Sequence, residues 1–362
     1  MNRNLQDVYY NLHGKLAIRI STGNQKVLDL YNRSFRHFRS EKTTGTQQYI
    51  IRDYSCFQLP PRFFFVNYNQ IGFERGFCLP DKRYAVMVND EGITEYTDAE
   101  CQATHFWLQY LLLRQNMCLI HGAGIELRGR GIIFPSFSSG GKTMLVAYVR
   151  NLDGFRFFTD EFIIADSQGT MFSFPCDFTI FNAHIERFPE LRKPRFRNYF
   201  RNREHIIRIL KAIENILITV FPKKRRFNPL SLSGFLAGPP VLKVPAAQII
   251  AAEKIGTEVK MEVALFLTKY NGEEIRFEEI DHARFVDKTA RVLFLEFREK
   301  FEYLLYLSVG DTVSPASHEQ KLREILSASL SRVKLFEVSI PYSMDPAVFS
   351  DSIVQFLDTG GK

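Results

Sequence analysis

Three short stretches of this chain carry residue types that could do chemistry together. The first is FPSFSSGGKTML, Phe134 to Leu145. A loop that binds phosphate points consecutive backbone N–H groups inward at the start of a helix, whose dipole favours anions. A lysine then reaches the β and γ phosphates, and the Ser or Thr after it offers a hydroxyl to Mg2+. Here Ser138, Ser139, Gly140 and Gly141 make the turn, Lys142 is the lysine and Thr143 the hydroxyl. Ser136 stands where the pattern has its first glycine, which predicts a bend made by a residue that disfavours positive φ. The second stretch is Thr159-Asp160-Glu161, a carboxylate pair at the end of an aromatic-rich strand. Beside a phosphate loop, one carboxylate can hold Mg2+ directly or through water, while the other accepts a proton from an attacking hydroxyl. The third is His121 in HGAG, one strand before the loop. A hairpin turning at RGRG would bring it near the phosphates.

Taken in order, HGAGIELRGRGIIFPSFSSGGKTML, FRFFTDEFIIAD, SQG and FSFP resemble the core of the HPr kinase/phosphorylase family, a group related to the ATP-dependent phosphoenolpyruvate carboxykinases. Order and spacing match over residues 118–180, and VALFLTKYNGEEIRFEEI resembles the family's trailing hairpin more loosely. The resemblance implies an α/β fold: a P-loop kinase core of the HPr kinase/phosphoenolpyruvate carboxykinase type with a mixed sheet. It also implies an ATP-dependent kinase that phosphorylates a hydroxyl, usually a serine of a protein or peptide. By position, Lys142 and Thr143 bind triphosphate and Mg2+, with Ser138, Ser139, Gly140 and Gly141 completing the nucleotide loop. Asp160 is the base, Glu161 a metal or water ligand, and His121 a polar group close to the phosphates. ATP and Mg2+ are the expected cofactors, with Thr143, Glu161 and Asp160 around the metal.

The chain departs from the family at Ser136 and Ser139, where the family has glycines. After Phe-Pro the family often has Arg and Lys, whereas CDFTIFNAH offers no cation before Arg187. Either the charge comes from elsewhere or transfer is reduced. A phosphorolysis signature is missing, so phosphorolysis is not expected. These departures leave a second reading, a nucleotide-binding scaffold or sensor without turnover, and the basic Arg187–Arg226 segment leaves a third, a nucleic-acid-associated protein.

The elements around these stretches read as follows. Residues 1–96 hold short strand-like runs (KLAIRI, QYIIRDY, RFFFVNY, RYAVMVN) between turn clusters, a small β-rich N-terminal domain. TDAE, Thr97 to Glu100, has capping-box spacing and predicts the start of a largely buried connecting helix over 97–117. Residues 118–362 form the nucleotide-binding domain, in which CLIHGAGIEL and IIF read as strands, TMLVAYVRN as a helix and TMFSF as a strand. NREHIIRILKAIENILITV has isoleucines at helical spacing, an amphipathic helix packed on its apolar side. MEVALFLTKYNGEEIRFEEI reads as a hairpin turning at Asn271-Gly272.

Composition is that of a globular protein, with 45% hydrophobic and 24% charged residues. Five cysteines without a Cys-x-x-Cys pair argue against a disulfide framework or a zinc site, and suit a reducing compartment. No apolar run reaches the ~18–20 residues of a membrane span. The expectation is a cytoplasmic protein with no membrane partner. Arg187 to Arg226 carries thirteen Lys and Arg against three acids, a balance of +10 that leaves the rest of the chain at −3 of its total +7. Such a segment can clamp an acidic or phosphorylated substrate, whether protein, peptide or small hydroxyl compound. Its interleaved aromatics also allow nucleic-acid binding, the less favoured reading. The related kinases commonly assemble, so a homo-oligomer is a further expectation.

Overall fold

In the computed structural model, residues 5–42, 45, 47–98, 103–137, 140–220, 241–309 and 313–360 are described, without the side chains of 210 and 213–220. The chain is a mixed α/β protein. Its first nine strands are β1 (Gln6–Leu12), β2 (Leu16–Thr22), β3 (Arg39–Ser40), β4 (Gln47–Arg52), β5 (Phe63–Asn67), β6 (Gln70–Phe73), β7 (Gly76–Leu79), β8 (Tyr84–Val88) and β9 (Gly92–Thr97). They make one sheet in the order 3-1-2-4-9-8-7-6-5, with helix α1 (Gln25–Ser34) between β2 and β3. Asn24 caps α1 by accepting from Lys26 N–H, as a helix start requires.

Helix α2 (Thr104–Leu113) is apolar almost all round, and Phe106, Trp107, Leu108 and Leu111 are fully buried. A helix with no polar face must be covered on every side. Its residues share one core cluster with Ile18 and Tyr49 of the first sheet and with Leu119 and Ile163 of the second. Trp107 Nε1 donates to Tyr84 Oη at 2.8 Å, and Gln109 Oε1 accepts from Leu119 N at 2.6 Å. The helix does not begin at the Thr97 capping box. Thr97 ends β9, paired across to Tyr84, and the N-cap is Ala103; Glu100 lies outside the described residues. Ladder hydrogen bonding to β8 holds Thr97 in extended backbone.

The second sheet is built on two long strands, β10 (Met117–Leu127) and β17 (Glu258–Tyr270). β10 turns into β11 (Arg130–Pro135) through Arg128 and Gly129, both at positive φ (53° and 81°), the geometry of a two-residue type I′ turn. Its first half pairs with β13 (Phe162–Asp166) and its second half with β12 (Phe155–Thr159). β14 (Thr170–Phe172) joins β13 to β17, and β11 runs parallel to β17. β15 (Phe178–Phe181) and β16 (Val241–Val244) make a separate two-stranded ribbon. β18 (Arg276–Glu279) and β19 (Lys334–Pro341) complete the large sheet.

Asn271-Gly272 does not close a hairpin. β19 pairs in parallel with β17 and antiparallel with β18, and so lies between them. β17 and β19 are apolar enough to sit centrally, while RFEE of β18 is charged and suits a sheet edge. Helix α3 (Lys142–Val149) follows β11, and further along come α4 (Pro194–Val220), α5 (His282–Phe297), α6 (Phe301–Val309), α7 (Pro315–Ser329) and α8 (Pro346–Asp358). β11, β17 and β19 are therefore mutually parallel, and their C-terminal ends face the starts of α3 and α8, where α/β sheets place ligands.

α4 begins twelve residues before the first isoleucine of the stripe. Phe200 is its buried anchor, with Phe196 and Tyr199 partly buried beside it. Ile206 and Ile209 are 49% and 46% exposed, so among the described residues the stripe is not packed on the body. Among the described residues it is the aromatic first turns that hold the helix. No helix among the described residues is long and apolar enough to cross a membrane, and Cys56, Cys78, Cys118 and Cys176 are free thiols.

Candidate functional site

Ser136 continues β11 by one bridge to Leu267, is fully buried, and has no positive φ. The strained bend expected at this position is absent, because the strand extends through it and the chain turns later. The turn comes at Gly141, whose φ of +93° makes it the N-cap of α3. Gly140 is needed for space: a Cβ there would come within 2.5 Å of Ser136 Oγ. Ser138 and Ser139 lie outside the described residues.

Lys142, the first residue of α3, is 8% exposed. Its ammonium donates to Ser136 Oγ at 2.9 Å and lies 3.3 Å from the carbonyl oxygens of Ser136 and Phe137. It also lies 3.4 Å from His121 Nε2. Burial pulls the Lys142 pKa down, opposed by the negative charges of Asp160, Glu296 and Glu161. Burial, then the Lys142 charge and His105, pushes His121 down to about 3. His121 is thus neutral, with Nε2 free to accept from the lysine. Its Nδ1 makes no hydrogen bond among the described residues, and Glu296 Oε2 stands 4.0 Å from it.

Between β12 and β13 the chain breaks at Asp160-Glu161, where Thr159 Oγ1 accepts from the N–H groups of Glu161 and Phe162. Thr143 Oγ1, one residue past the lysine, donates to Asp160 Oδ2 at 2.7 Å. Asp160 is 6% exposed and burial raises its pKa to about 7, against the lowering pull of the Thr143 hydrogen bond and the Lys142 charge. Asp160 Oδ1 is buried without a hydrogen-bond partner among the described residues. Glu161 extends from the same break toward Lys243 Nζ, 3.4 Å away, and Lys243 also donates to Thr179 Oγ1 at 2.7 Å.

These groups line one cavity of about 750 Å³. Gly140, Gly141, Lys142 and Thr143 form one wall, with Asp160, Glu161, His121 and Glu296 beside them. Arg187, Lys269 and Tyr342 close the far side. Every sequence-derived site residue that is described therefore meets in one place. Among the described residues no cluster of three His, Cys, Asp or Glu can hold a metal on its own. Mg2+ rarely needs one, since it is commonly held by one or two carboxylates together with phosphate oxygens and water. The Thr143 hydroxyl and the Glu161 carboxylate, with Asp160 beside them, fit that kind of binding.

Lys243, Lys269, Glu296 and His105 were not legible in the sequence as site residues. Lys243 reaches the cavity because β16 pairs with β15 across sixty residues, with Lys243 opposite Thr179. It supplies the cation missing after Phe-Pro, and it does not come from the 187–226 stretch. That stretch contributes Arg187, while Arg192 and Arg197 pair with Glu186, and Lys223, Lys224, Arg225 and Arg226 lie outside the described residues. Glu296 arrives on the last turn of α5, and His105 packs on Phe162 with tilted rings whose centroids are 4.7 Å apart. No family model matches the chain, and no curated protein matches it.

Proposed function

We propose that this protein is an ATP- and Mg2+-dependent phosphotransferase with a P-loop kinase core, transferring the γ-phosphate to a hydroxyl. The observation that carries the reading is the Thr143 Oγ1–Asp160 Oδ2 hydrogen bond at 2.7 Å, made beside Lys142 in one cavity. A hydroxyl for the metal, a lysine for the phosphates and a buried carboxylate converge as phosphoryl transfer requires.

In this reading the backbone N–H groups at the start of α3 take up the phosphates, and Lys142 exchanges its carbonyl partners for phosphate oxygens. Thr143 and Glu161 would hold Mg2+, which when bound neutralises charge on the β and γ phosphates. Asp160 titrates near neutrality, so its free Oδ1 can accept the proton of the attacking hydroxyl. A base works best with a pKa close to the working pH. Glu161, tied to Lys243, orients the polar wall, and neutral His121 steers the lysine. Lys269 in the cavity wall and Lys243, held against Glu161, favour an acidic or phosphorylated acceptor, in keeping with a serine in a protein or peptide.

The test is transfer of label from γ-labelled ATP with Mg2+ to acidic peptide and protein acceptors. Label in a hydroxyl ester, lost in Lys142→Ala, is expected. ATP binding without transfer or hydrolysis would leave a nucleotide sensor. No binding, together with an unaltered Lys142→Ala variant, would remove the reading.

A further inference from the structure

α3 carries a second feature that the phosphate chemistry does not use. Met144, Ala147 and Tyr148 recur at i, i+3 and i+4, the spacing of one helix face, and Asn151 follows in the turn just past the helix end. That face is covered in part, since Ala147 is buried and α8 packs on α3, while Tyr148 and Asn151 stay exposed. It floors a separate hollow of about 300 Å³, at the lower end of the size range for small-molecule sites. Arg187 and Arg192 form one side, and the start of α8 forms the other.

The hollow adjoins the phosphate cavity. Met144, Glu186, Arg187 and Pro346 line both. Its polar walls are held in place. The Tyr148 hydroxyl donates to Asp351 of α8. Arg192 donates to the Glu186 carbonyl at 2.6 Å, and Arg187 lies 3.4 Å from Asp345, the N-cap of α8. The segment carrying Arg187 and Arg192 is pinned by buried Arg150, which donates to Glu190 at 3.1 Å.

We propose that this hollow is the purine and ribose subsite of a nucleoside triphosphate whose phosphates occupy the loop, an inference that rests on the function proposed above. A base is a flat π surface, and a fixed tyrosine ring with guanidinium planes beside it offers stacking on that surface. The Asn151 amide presents a donor and an acceptor side by side, the pattern met by the N6 and N7 edge of adenine. Met144 and Ala147 give the apolar floor. Arg187, at the junction, meets the phosphate nearest the ribose.

The experiment compares equilibrium binding of Mg2+–tripolyphosphate, Mg–ATP and Mg–GTP to the full chain and to Tyr148→Ala, Tyr148→Phe, Asn151→Ala and Lys142→Ala. Tyr148 and Asn151 are exposed, so these variants keep the core. Tyr148→Ala is expected to weaken ATP about tenfold, the loss of one stacked base. It should leave tripolyphosphate unchanged, and Tyr148→Phe should bind ATP as the wild type does. Asn151→Ala should narrow the preference for ATP over GTP, and Lys142→Ala should lose all three ligands. If ATP and tripolyphosphate bind the wild type equally, or if ATP is preferred but Tyr148→Ala and Asn151→Ala do not alter it, the base is not held here and the subsite is overturned. The phosphate-loop reading survives both of those results. Failure of tripolyphosphate itself to bind the wild type removes the loop reading and the subsite with it.

Discussion

The Thr143 hydroxyl donates at 2.7 Å to Asp160 Oδ2, joining the phosphate loop to the carboxylate pair seventeen residues further along the chain. One oxygen of Asp160 is thereby occupied and the other, Oδ1, is buried without a partner among the described residues. A buried acceptor without a hydrogen bond is costly, and proteins keep such groups where a ligand or a proton will meet them. Asp160→Asn keeps the shape and removes the base. Transfer should fall by about 10²–10⁴-fold, the usual contribution of a general base. Mg–ATP should still bind. Single-turnover transfer and calorimetric binding on the same preparation check this, and loss of both in parallel would assign Asp160 to binding alone.

Asp160 and His121 also set opposite pH dependences of stability. Asp160 has its folded pKa raised from 3.8 to about 7. Between those values the native state holds more protons than the unfolded chain, so this residue makes stability fall as pH rises, with the full loss present above about 7. His121 has its folded pKa lowered from 6.5 to about 3. There the unfolded chain holds more protons, so stability falls as pH drops from 6.5 toward 3. Asp160→Asn should thus raise Tm more at pH 8 than at pH 5. His121→Gln should flatten the decline on the acid side. Thermal melts across pH 4–8 on the three proteins test both signs; a gain for Asp160→Asn that does not grow with pH would contradict the first.

Ser136 and Gly140 are a matched pair. The serine hydroxyl donates to Phe137 O at 3.0 Å and accepts from Lys142 at 2.9 Å, in the space a Cβ on Gly140 would fill. Gly140→Ala should destabilise the loop by ~1–3 kcal/mol, the usual cost of overpacking. Ser136→Gly removes the obstructing atoms, so the double variant should recover part of that loss, with a coupling of about 0.5–3 kcal/mol. Denaturant melts of the wild type, two single variants and double variant measure it, and strict additivity would show that the two residues do not compete for space.

Much of this site could be read in the sequence because it is local. Lys142 and Thr143 sit on one helix start, Asp160 and Glu161 on one strand break, and His121 on a hairpin whose turn, Arg128-Gly129, has an unambiguous signature. What was not legible depends on distant pairing. Lys243 is in register with Thr179 only because two four-residue strands meet across the basic stretch. β19 enters between β17 and β18 from sixty residues further on, and nothing in NGEEIRFEEI signals that its neighbour is elsewhere. The isoleucine spacing of α4 was genuine, but periodicity reports that a face is apolar, not that the body covers it. Ile206 and Ile209 show the difference.

Lys243 and Glu161 bracket Asp160 with opposite charges. The Lys243 ammonium lowers the Asp160 pKa, and the Glu161 carboxylate raises it. The acid limb of kcat/KM, which reports the free enzyme, should follow Asp160 and lie near pH 7. Lys243→Met removes the lowering charge and leaves Glu161 without its partner at 3.4 Å, so the limb should move to higher pH. Glu161→Gln removes the raising charge, and the limb should move to lower pH. The double variant should lie between the two, since each deletion offsets the other. Because Lys243 and Glu161 are partly exposed, salt screens them, and each displacement should shrink as ionic strength rises. Rates measured from pH 5 to 9 at low and high salt test the order. Movement of both single variants in the same direction would show that the limb belongs to a group other than Asp160.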